Sequence, residues 1–164
     1  MSDEKPQVSY YALVHDNPDK PVAIMQLVAG ADLKTAVEKT RLAHGWKTVT
    51  AKAITPADIP QDRTFRNAWQ HDGRRIVHDM TKVRAIHLAH IRNARDAALA
   101  QLDKEYMRAH ERDDTAMMKN IAQRKQALRD LPSTCGTSML STPESVKAHW
   151  PQILLDSNIH APYA

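Results

Sequence analysis

Cysteine, glycine and aromatic side chains are scarce in this chain, and each shortage narrows the class of protein. The single cysteine, Cys135, cannot form an internal disulfide, which agrees with a reducing compartment. Four glycines and an aromatic content of 5% suit helices rich in alanine, leucine and methionine better than a β-sandwich. No apolar run approaches the roughly 20 residues that span a bilayer, and residues 1–6 lack the pattern of a signal peptide. We therefore expect a soluble protein with no membrane partner.

The remaining composition is sufficient for one small core. The chain has 164 residues, of which 42% are hydrophobic, and a net charge of +4. This length predicts one domain, or one small domain with an extension. The mild positive charge is compatible with nucleic acid, with an acidic protein or with no special partner. Composition alone leaves the partner open.

The strongest pattern in the chain predicts an antiparallel helical hairpin. Apolar side chains recur every three or four residues in two runs, 80–109 and 117–131, and this is the period of a helix and not of a strand. Asp113 or Asp114 can cap the second helix, and Pro132 predicts its end. We interpret the hairpin as a scaffold for assembly.

The two predicted helices differ in length, and this difference predicts a binding surface. The first spans about 33 residues, or roughly 50 Å, and its partner spans about half of that. The apolar stripe near the start of the first helix therefore needs other cover: the ribbon or sheet upstream, or another chain. An apolar segment near the C-terminus either folds back onto this stripe or docks on a partner. The predicted partner-binding residues are Val83, His87, Ile91, Trp150, Ile153 and Leu154.

The region upstream of the hairpin predicts a small β-β-α-β unit. Two β-rich runs, 8–14 and 22–29, flank a segment of turn formers, and 46–54 alternates as a third strand does. Asp32 can cap a helix that Gly45 ends. We expect a three-stranded sheet with one helix over it.

A basic β-ribbon is predicted between this unit and the hairpin. Two prolines within five positions mark a linker, and the Asp72-Gly73 pair between the short runs 63–69 and 74–78 indicates a hairpin turn. Phe65 and Trp69 are expected to anchor the ribbon against the helices. Orienting or anion-binding roles are predicted for Arg63, Arg66, Arg74 and Arg75.

The predicted fold class is α+β, with four parts along the chain. The last part includes a short helix at 143–150, which begins after Thr142 with a proline in its first turn. The parts are a small α/β domain (1–55), a linker with the arginine-rich ribbon (56–78), the helical hairpin (79–131) and a C-terminal tail (132–164).

No pattern in the chain indicates catalysis. His87 and His90 lie three residues apart, but no zinc-protease spacing or third ligand accompanies them. Glu105 is better explained by an ion pair with Arg124 inside the hairpin, and nothing near Cys135 in the sequence would lower its pKa. Phosphate-binding loops, nucleophile elbows and dinucleotide fingerprints are absent. We expect no enzyme activity, no cofactor and no metal.

Residues 60–132 contain a series of short motifs that occur together in one known family. The motifs are Pro60-Gln61-Asp62-Arg63, Phe65-Arg66-Asn67-Ala68-Trp69, Asp79-Met80, Ile91-Arg92, Arg95-Asp96, Leu102-Asp103, Met107-Arg108-Ala109 and Leu128-Arg129-Asp130. This series resembles the phage tail-assembly-chaperone-like proteins, small proteins encoded among the tail and tail-fibre genes of tailed bacteriophages. The resemblance implies a phage origin and a role at the tail, and it implies no catalytic residue.

The resulting hypothesis is a non-enzymatic phage tail protein that binds tail or tail-fibre subunits. It would act as an assembly factor or chaperone in the host bacterial cytoplasm, or as a minor component of the virion tail, and self-association is an alternative. The alternative function is a basic phage protein that binds nucleic acid or a host factor. Nucleic acid is disfavoured, because the basic side chains of residues 63–95 are spread around the helix. Salt-dependent binding to random duplex DNA would separate the two functions.

Overall fold

A computed structural model describes residues 8–163, whose contacts divide the chain into two compact units, one up to Lys82 and one from Val83. The predicted α+β class is confirmed, because antiparallel strands precede two long helices. Residues 1–7 of the predicted first domain and residue 164 of the predicted tail lie outside the described residues.

The first unit contains the predicted three-stranded antiparallel sheet. Its strands are β1 (Val8–His15), β2 (Ala23–Val28) and β3 (Val49–Ile54). Their spatial order is β2-β1-β3, so β1 is central and pairs with both neighbours. The chain reaches β3 through the helix that follows β2, and the predicted β-β-α-β order is confirmed.

That helix, α1 (Leu33–Ala43), begins and ends as its sequence predicts. The Oδ2 atom of Asp32 accepts a hydrogen bond of 2.7 Å from the backbone N–H of Thr35, which satisfies one of the free amides of the first turn. Gly45 follows with a φ of +63°, a conformation that glycine adopts without strain. Within α1, all of which is described, no side chain is fully buried.

The predicted ribbon is present but its first strand is shorter than expected. It consists of β4 (Trp69–His71) and β5 (Ile76–His78), which pair antiparallel. The prediction of a strand that begins at Arg63 is wrong, because a 3₁₀ turn occupies Arg66–Ala68. The backbone N–H of Ala68 bonds the carbonyl of Phe65 at 2.8 Å, which commits both groups to the turn and not to a strand.

Trp69 anchors the ribbon on the sheet. Its side chain is buried in one cluster with Ala12, Ile54 and Ile76. The expected anchor of Phe65 and Trp69 against the helices stays a prediction. An additional backbone bond of 3.1 Å joins the N–H of Val22 to the carbonyl of Trp69.

The two helices of the hairpin differ in length, as the sequence predicts. α2 (Met80–Glu111) has 32 residues and α3 (Thr115–Thr134) has 20. Asp79 accepts a 2.9 Å bond from the N–H of Thr81 at the start of α2, and Asp114 caps α3. Among the helices within residues 8–163, none combines the length and hydropathy that a membrane crossing requires.

The interior of the hairpin is a single apolar cluster with ion pairs at its surface. The expected pair of Arg124 with Glu105 is present at 3.7 Å, but both side chains are about 40% exposed, so it is not an internal pair. Lys125 pairs with Asp103 beside it. The buried residues contributed by the two helices are Ile91, Ala98, Leu102, Ala109, Ile121, Leu128 and Leu131.

α3 does not end at Leu131 as predicted, because Pro132 lies inside its last turn. Nearby hydroxyl groups supply hydrogen bonds at this end of the helix: the Oγ of Ser133 donates to the carbonyl of Asp130 at 2.7 Å. The chain turns at Gly136, which has a φ of +62°. The preceding residue, Cys135, is buried in the hairpin cluster.

The segment after α3, residues 135–163, is called the C-terminal arm below. It contains a 3₁₀ turn (Thr137–Met139), then α4 (Pro143–Ala148) and α5 (Gln152–Leu155). The predicted helix after Thr142 is present and ends two residues before the predicted end at 150. The arm belongs to the same compact unit as the hairpin.

Candidate functional site: the surface between the long helix and the C-terminal arm

The stripe of α2 that was expected to lie open is buried. Val83, His87 and Ile91 follow one another at intervals of four residues, which places them on one face of the helix, and each is 0% exposed. The expectation of an uncovered surface is therefore wrong. For His87 and Ile91 the physical reason is that the C-terminal arm packs against α2, where α3 is too short to reach. Folding back, one of the two alternatives for the arm, is what the structure shows.

His87 joins α2 to the arm through both of its ring nitrogens. Nε2 lies 2.8 Å from the carbonyl oxygen of His149, and Nδ1 lies 3.0 Å from the hydroxyl of Tyr163. Because a carbonyl oxygen only accepts, Nε2 carries the proton, and in the neutral ring Nδ1 accepts from the hydroxyl. Burial lowers the pKa of His87, and the site favours the neutral form.

Aromatic rings surround His87 on the arm side. The Tyr163 ring stacks on the imidazole with centroids 5.8 Å apart, and the Trp150 ring meets it edge-on at 5.9 Å. Burial raises the pKa of Tyr163 to about 12, so its hydroxyl keeps the proton that it donates. His90, one turn further along α2, contacts the edge of the Tyr163 ring at 5.5 Å.

Apolar and backbone contacts hold the rest of the arm. Leu154 is 0% exposed and belongs to the same core cluster as Ile91. The indole N–H of Trp150 donates to the carbonyl of Ile159 at 3.0 Å, which closes the end of the arm on itself. At the other end, the Nε of Arg84 donates to the carbonyl of Leu140 at 3.0 Å.

The structure thus brings most of the predicted partner-binding residues to one place. His87, Ile91, Trp150 and Leu154 meet at the arm, and Ile153 packs on the same cluster. Their role in binding a partner stays a prediction. The sequence did not predict the contacts of Tyr163, Arg84, His149 and Leu140. For Tyr163 one signal was present: aromatic residues are scarce in this chain, so each of them is a candidate for packing.

The four predicted arginines lie on the first unit, and all are exposed. The guanidinium of Arg63 sits 5.9 Å from the centre of the Trp69 ring and lines a cleft of about 320 Å³. The backbone N–H groups of Arg74 and Arg75 donate to Oδ1 of Asp72 at 2.8 and 2.9 Å, and these bonds hold the pKa of Asp72 below its usual range. The orienting or anion-binding role of the arginines stays a prediction.

The side chains of His78 and Cys135 also have structural contacts. The Nε2 of His78 accepts from the indole N–H of Trp69 at 3.1 Å, and the thiol of Cys135 lies 3.6 Å from the carbonyl of Pro132. Within residues 8–163, no group of three or more histidine, cysteine or acidic side chains is placed to hold a metal ion.

Part of the chain around this site matches a known family model, although His87, Leu154 and Tyr163 lie outside the matched residues. Residues 88–153 match the family model of the phage tail assembly chaperone proteins. The chaperone-matched segment contains most of α2, all of α3 and α4, and the start of α5. It covers less than half of the chain and lies further downstream than the expected range, 60–132, so the ribbon falls outside it. No curated protein and no solved structure matches the chain.

Proposed function

We propose that this protein takes part in bacteriophage tail assembly by binding tail or tail-fibre subunits, as an assembly factor or chaperone or as a minor virion component. The observation that carries the proposal is the match of residues 88–153 to the phage tail assembly chaperone family. Residues 88–153 also include most of the buried cluster of the hairpin and the beginning of the arm. The proposed role is non-enzymatic, because a tail assembly chaperone acts by binding other proteins.

The surface between α2 and the arm is our proposed partner surface. Its residues remain those predicted from the sequence, with one condition: buried side chains reach a partner only after the arm has moved. The residues are Val83, His87, Ile91, Trp150, Ile153 and Leu154.

The ribbon arginines are proposed to orient the partner by charge. Exposed charges accelerate association and set its direction more than they add affinity. A variant with glutamine at Arg63, Arg66, Arg74 and Arg75 is expected to bind more slowly and with less dependence on salt. Its thermal midpoint is expected to fall only slightly, since all four side chains are exposed and Arg63 loses its contact with the Trp69 ring.

Co-expression with tail and tail-fibre subunits of the same phage tests the proposal. We expect at least one subunit to co-purify with the protein and to give a larger soluble fraction than when it is expressed alone. Unchanged solubility of every subunit, together with no co-purification, would contradict the proposal. Co-expression of each subunit with an unrelated protein that carries the same purification tag serves as the control.

Random duplex DNA provides the counter-test. The assembly function predicts little binding at physiological salt, whereas nucleic-acid binding by the basic segment predicts an affinity that falls steeply as salt rises. Such an affinity, without any co-purified subunit, would favour the alternative function.

The site of action follows from the same proposal. An assembly factor works in the host bacterial cytoplasm, where tails are built before lysis. Mass spectrometry of purified particles distinguishes a factor that leaves from a component that remains in the virion tail. Copies found in stoichiometric ratio to tail proteins would indicate a resident component.

A further inference from the structure

The C-terminal arm is built from elements that have little stability of their own. Its two helices have six and four residues, whereas those of the hairpin have 32 and 20. Helices this short are marginal in water, so the arm is ordered by its contacts with the hairpin. Segments of this kind open more readily than the core that carries them. The arm is therefore the part of this unit that can leave while the hairpin stays folded.

The histidine at the centre of the covered stripe, His87, limits which segments can pack on this surface. An aliphatic side chain at this position would be buried without needing polar partners. His87 needs an acceptor for Nε2 and a donor for Nδ1, and the arm supplies them through the His149 carbonyl and the Tyr163 hydroxyl. A segment without these groups would leave a buried polar atom unpaired, which strongly disfavours its binding.

We propose that the arm is an intramolecular competitor, and that a segment of the partner with the same chemistry replaces it on α2. Such a segment presents an aromatic ring, a hydroxyl donor and a backbone carbonyl to His87, and a side chain of leucine size to the cluster around Ile91. The inference rests on the proposed function, because it takes the partner to be a tail or tail-fibre subunit. The arm itself shows which chemistry fits: Trp150 beside His87, and Leu154 in the cluster.

An attached competitor determines when the surface binds. Only the fraction of molecules with an open arm binds a partner, so the apparent dissociation constant is raised by the inverse of that fraction. A tethered segment competes at an effective concentration on the order of millimolar. Isolated partner segments are thus held off, and subunits that are concentrated at an assembling tail displace the arm.

A peptide with the sequence of residues 142–163 is the probe that tests this proposal. Leu154→Asp in the full chain places a carboxylate at a position that is 0% exposed and opens the arm, whereas Met139→Asp makes the same charge change at a side chain that is 88% exposed. We expect the Leu154→Asp protein to bind the labelled peptide at least about tenfold more tightly than the wild type or Met139→Asp does. Equal binding by all three, with the hairpin helicity retained, overturns the proposal.

Hydrogen exchange of the wild-type protein keeps the test independent of how the variant folds. Amides of residues 149–160 are expected to exchange at least about tenfold faster than those of residues 98–128, through an opening that leaves the hairpin protected. Equal protection would show that arm and hairpin open only together, and would overturn the proposal. A wild-type dimer that the peptide dissociates would identify a second copy as the occupant, which also overturns it.

These experiments separate this inference from the function on which it rests. If the peptide exchanges with the arm but no tail subunit co-purifies, the proposed function fails and the replaceable arm stands. If a subunit binds wild type and Leu154→Asp with the same affinity, the function stands and the competitor role of the arm fails.

Discussion

Acidification is expected to loosen the C-terminal arm through His87. Burial lowers the pKa of this histidine, so its contribution to arm docking is complete above the ordinary histidine pKa of about 6.5. The contribution is lost as the pH falls from that value through the lower pKa of the docked state. At about pH 5, protonation favours the open arm by at most about 2 kcal/mol, or roughly 30-fold in the docking equilibrium. The limit is reached only if the docked histidine stays neutral.

The other titratable groups that face His87 either lower its pKa further or leave it unchanged. When protonated, His149 and His90 repel a charge on His87 and lower its pKa further. Tyr163 stays neutral, because burial raises its pKa to about 12. His87→Gln is the informative variant, since its amide can donate to the His149 carbonyl and accept from Tyr163 without titrating. His110→Gln, at an exposed position of α2, is the matched control.

The assay is hydrogen exchange of the arm amides at several pH values, corrected for the intrinsic rate at each pH. For the wild type and His110→Gln, we expect protection of residues 149–160 to fall by up to about 30-fold between about pH 7.5 and about pH 5. For His87→Gln we expect a much weaker dependence. A wild type that keeps full protection at about pH 5, or a His87→Gln protein that loses it equally, would refute this reasoning.

Three further predictions concern the stability of the hairpin, and denaturant unfolding checks each of them. Asp114→Ala removes the cap that accepts from the Met117 N–H and is expected to cost about 1 kcal/mol; an unchanged midpoint would show that the cap is dispensable. Glu105→Gln breaks the exposed pair with Arg124 and is expected to cost about 0.5 kcal/mol or less, and a larger loss would mean that the pair is better shielded than its exposure indicates. Gly136→Ala meets no atom within 4 Å, so only the left-handed backbone opposes it; we expect a cost of about 1 kcal/mol, and no cost would contradict that account.

The parts of the fold that were predictable from sequence depend on local rules. A cap at Asp32 or Asp114 needs only a side chain and an amide three residues later, and a helical period is visible in any run as long as α2. The unequal lengths of the hairpin helices followed from the same period. The predicted end of α3 at Leu131 was wrong, because Pro132 lies in the last turn of the helix, where few helical hydrogen bonds remain to be broken.

The candidate site was only half predictable, because its contacts join distant parts of the chain. His87 and Ile91 stand out as members of an apolar stripe, and Trp150 and Leu154 as members of an apolar segment. Their meeting depends on hydrogen bonds from His87 to residues 62 and 76 positions away, and no local pattern encodes such pairs. The sequence left folding back and docking on a partner as alternatives, and the structure shows that the arm folds back.

The single cysteine gives this protein a built-in reporter. Cys135 is the one thiol in the chain, it is 8% exposed, and it lies where α3 passes into the arm. A thiol reagent can therefore modify the unaltered protein at one place, and at a rate set by how often that junction becomes accessible. The labelling rate measures that opening in real time, in the presence or absence of tail subunits, without any engineered probe.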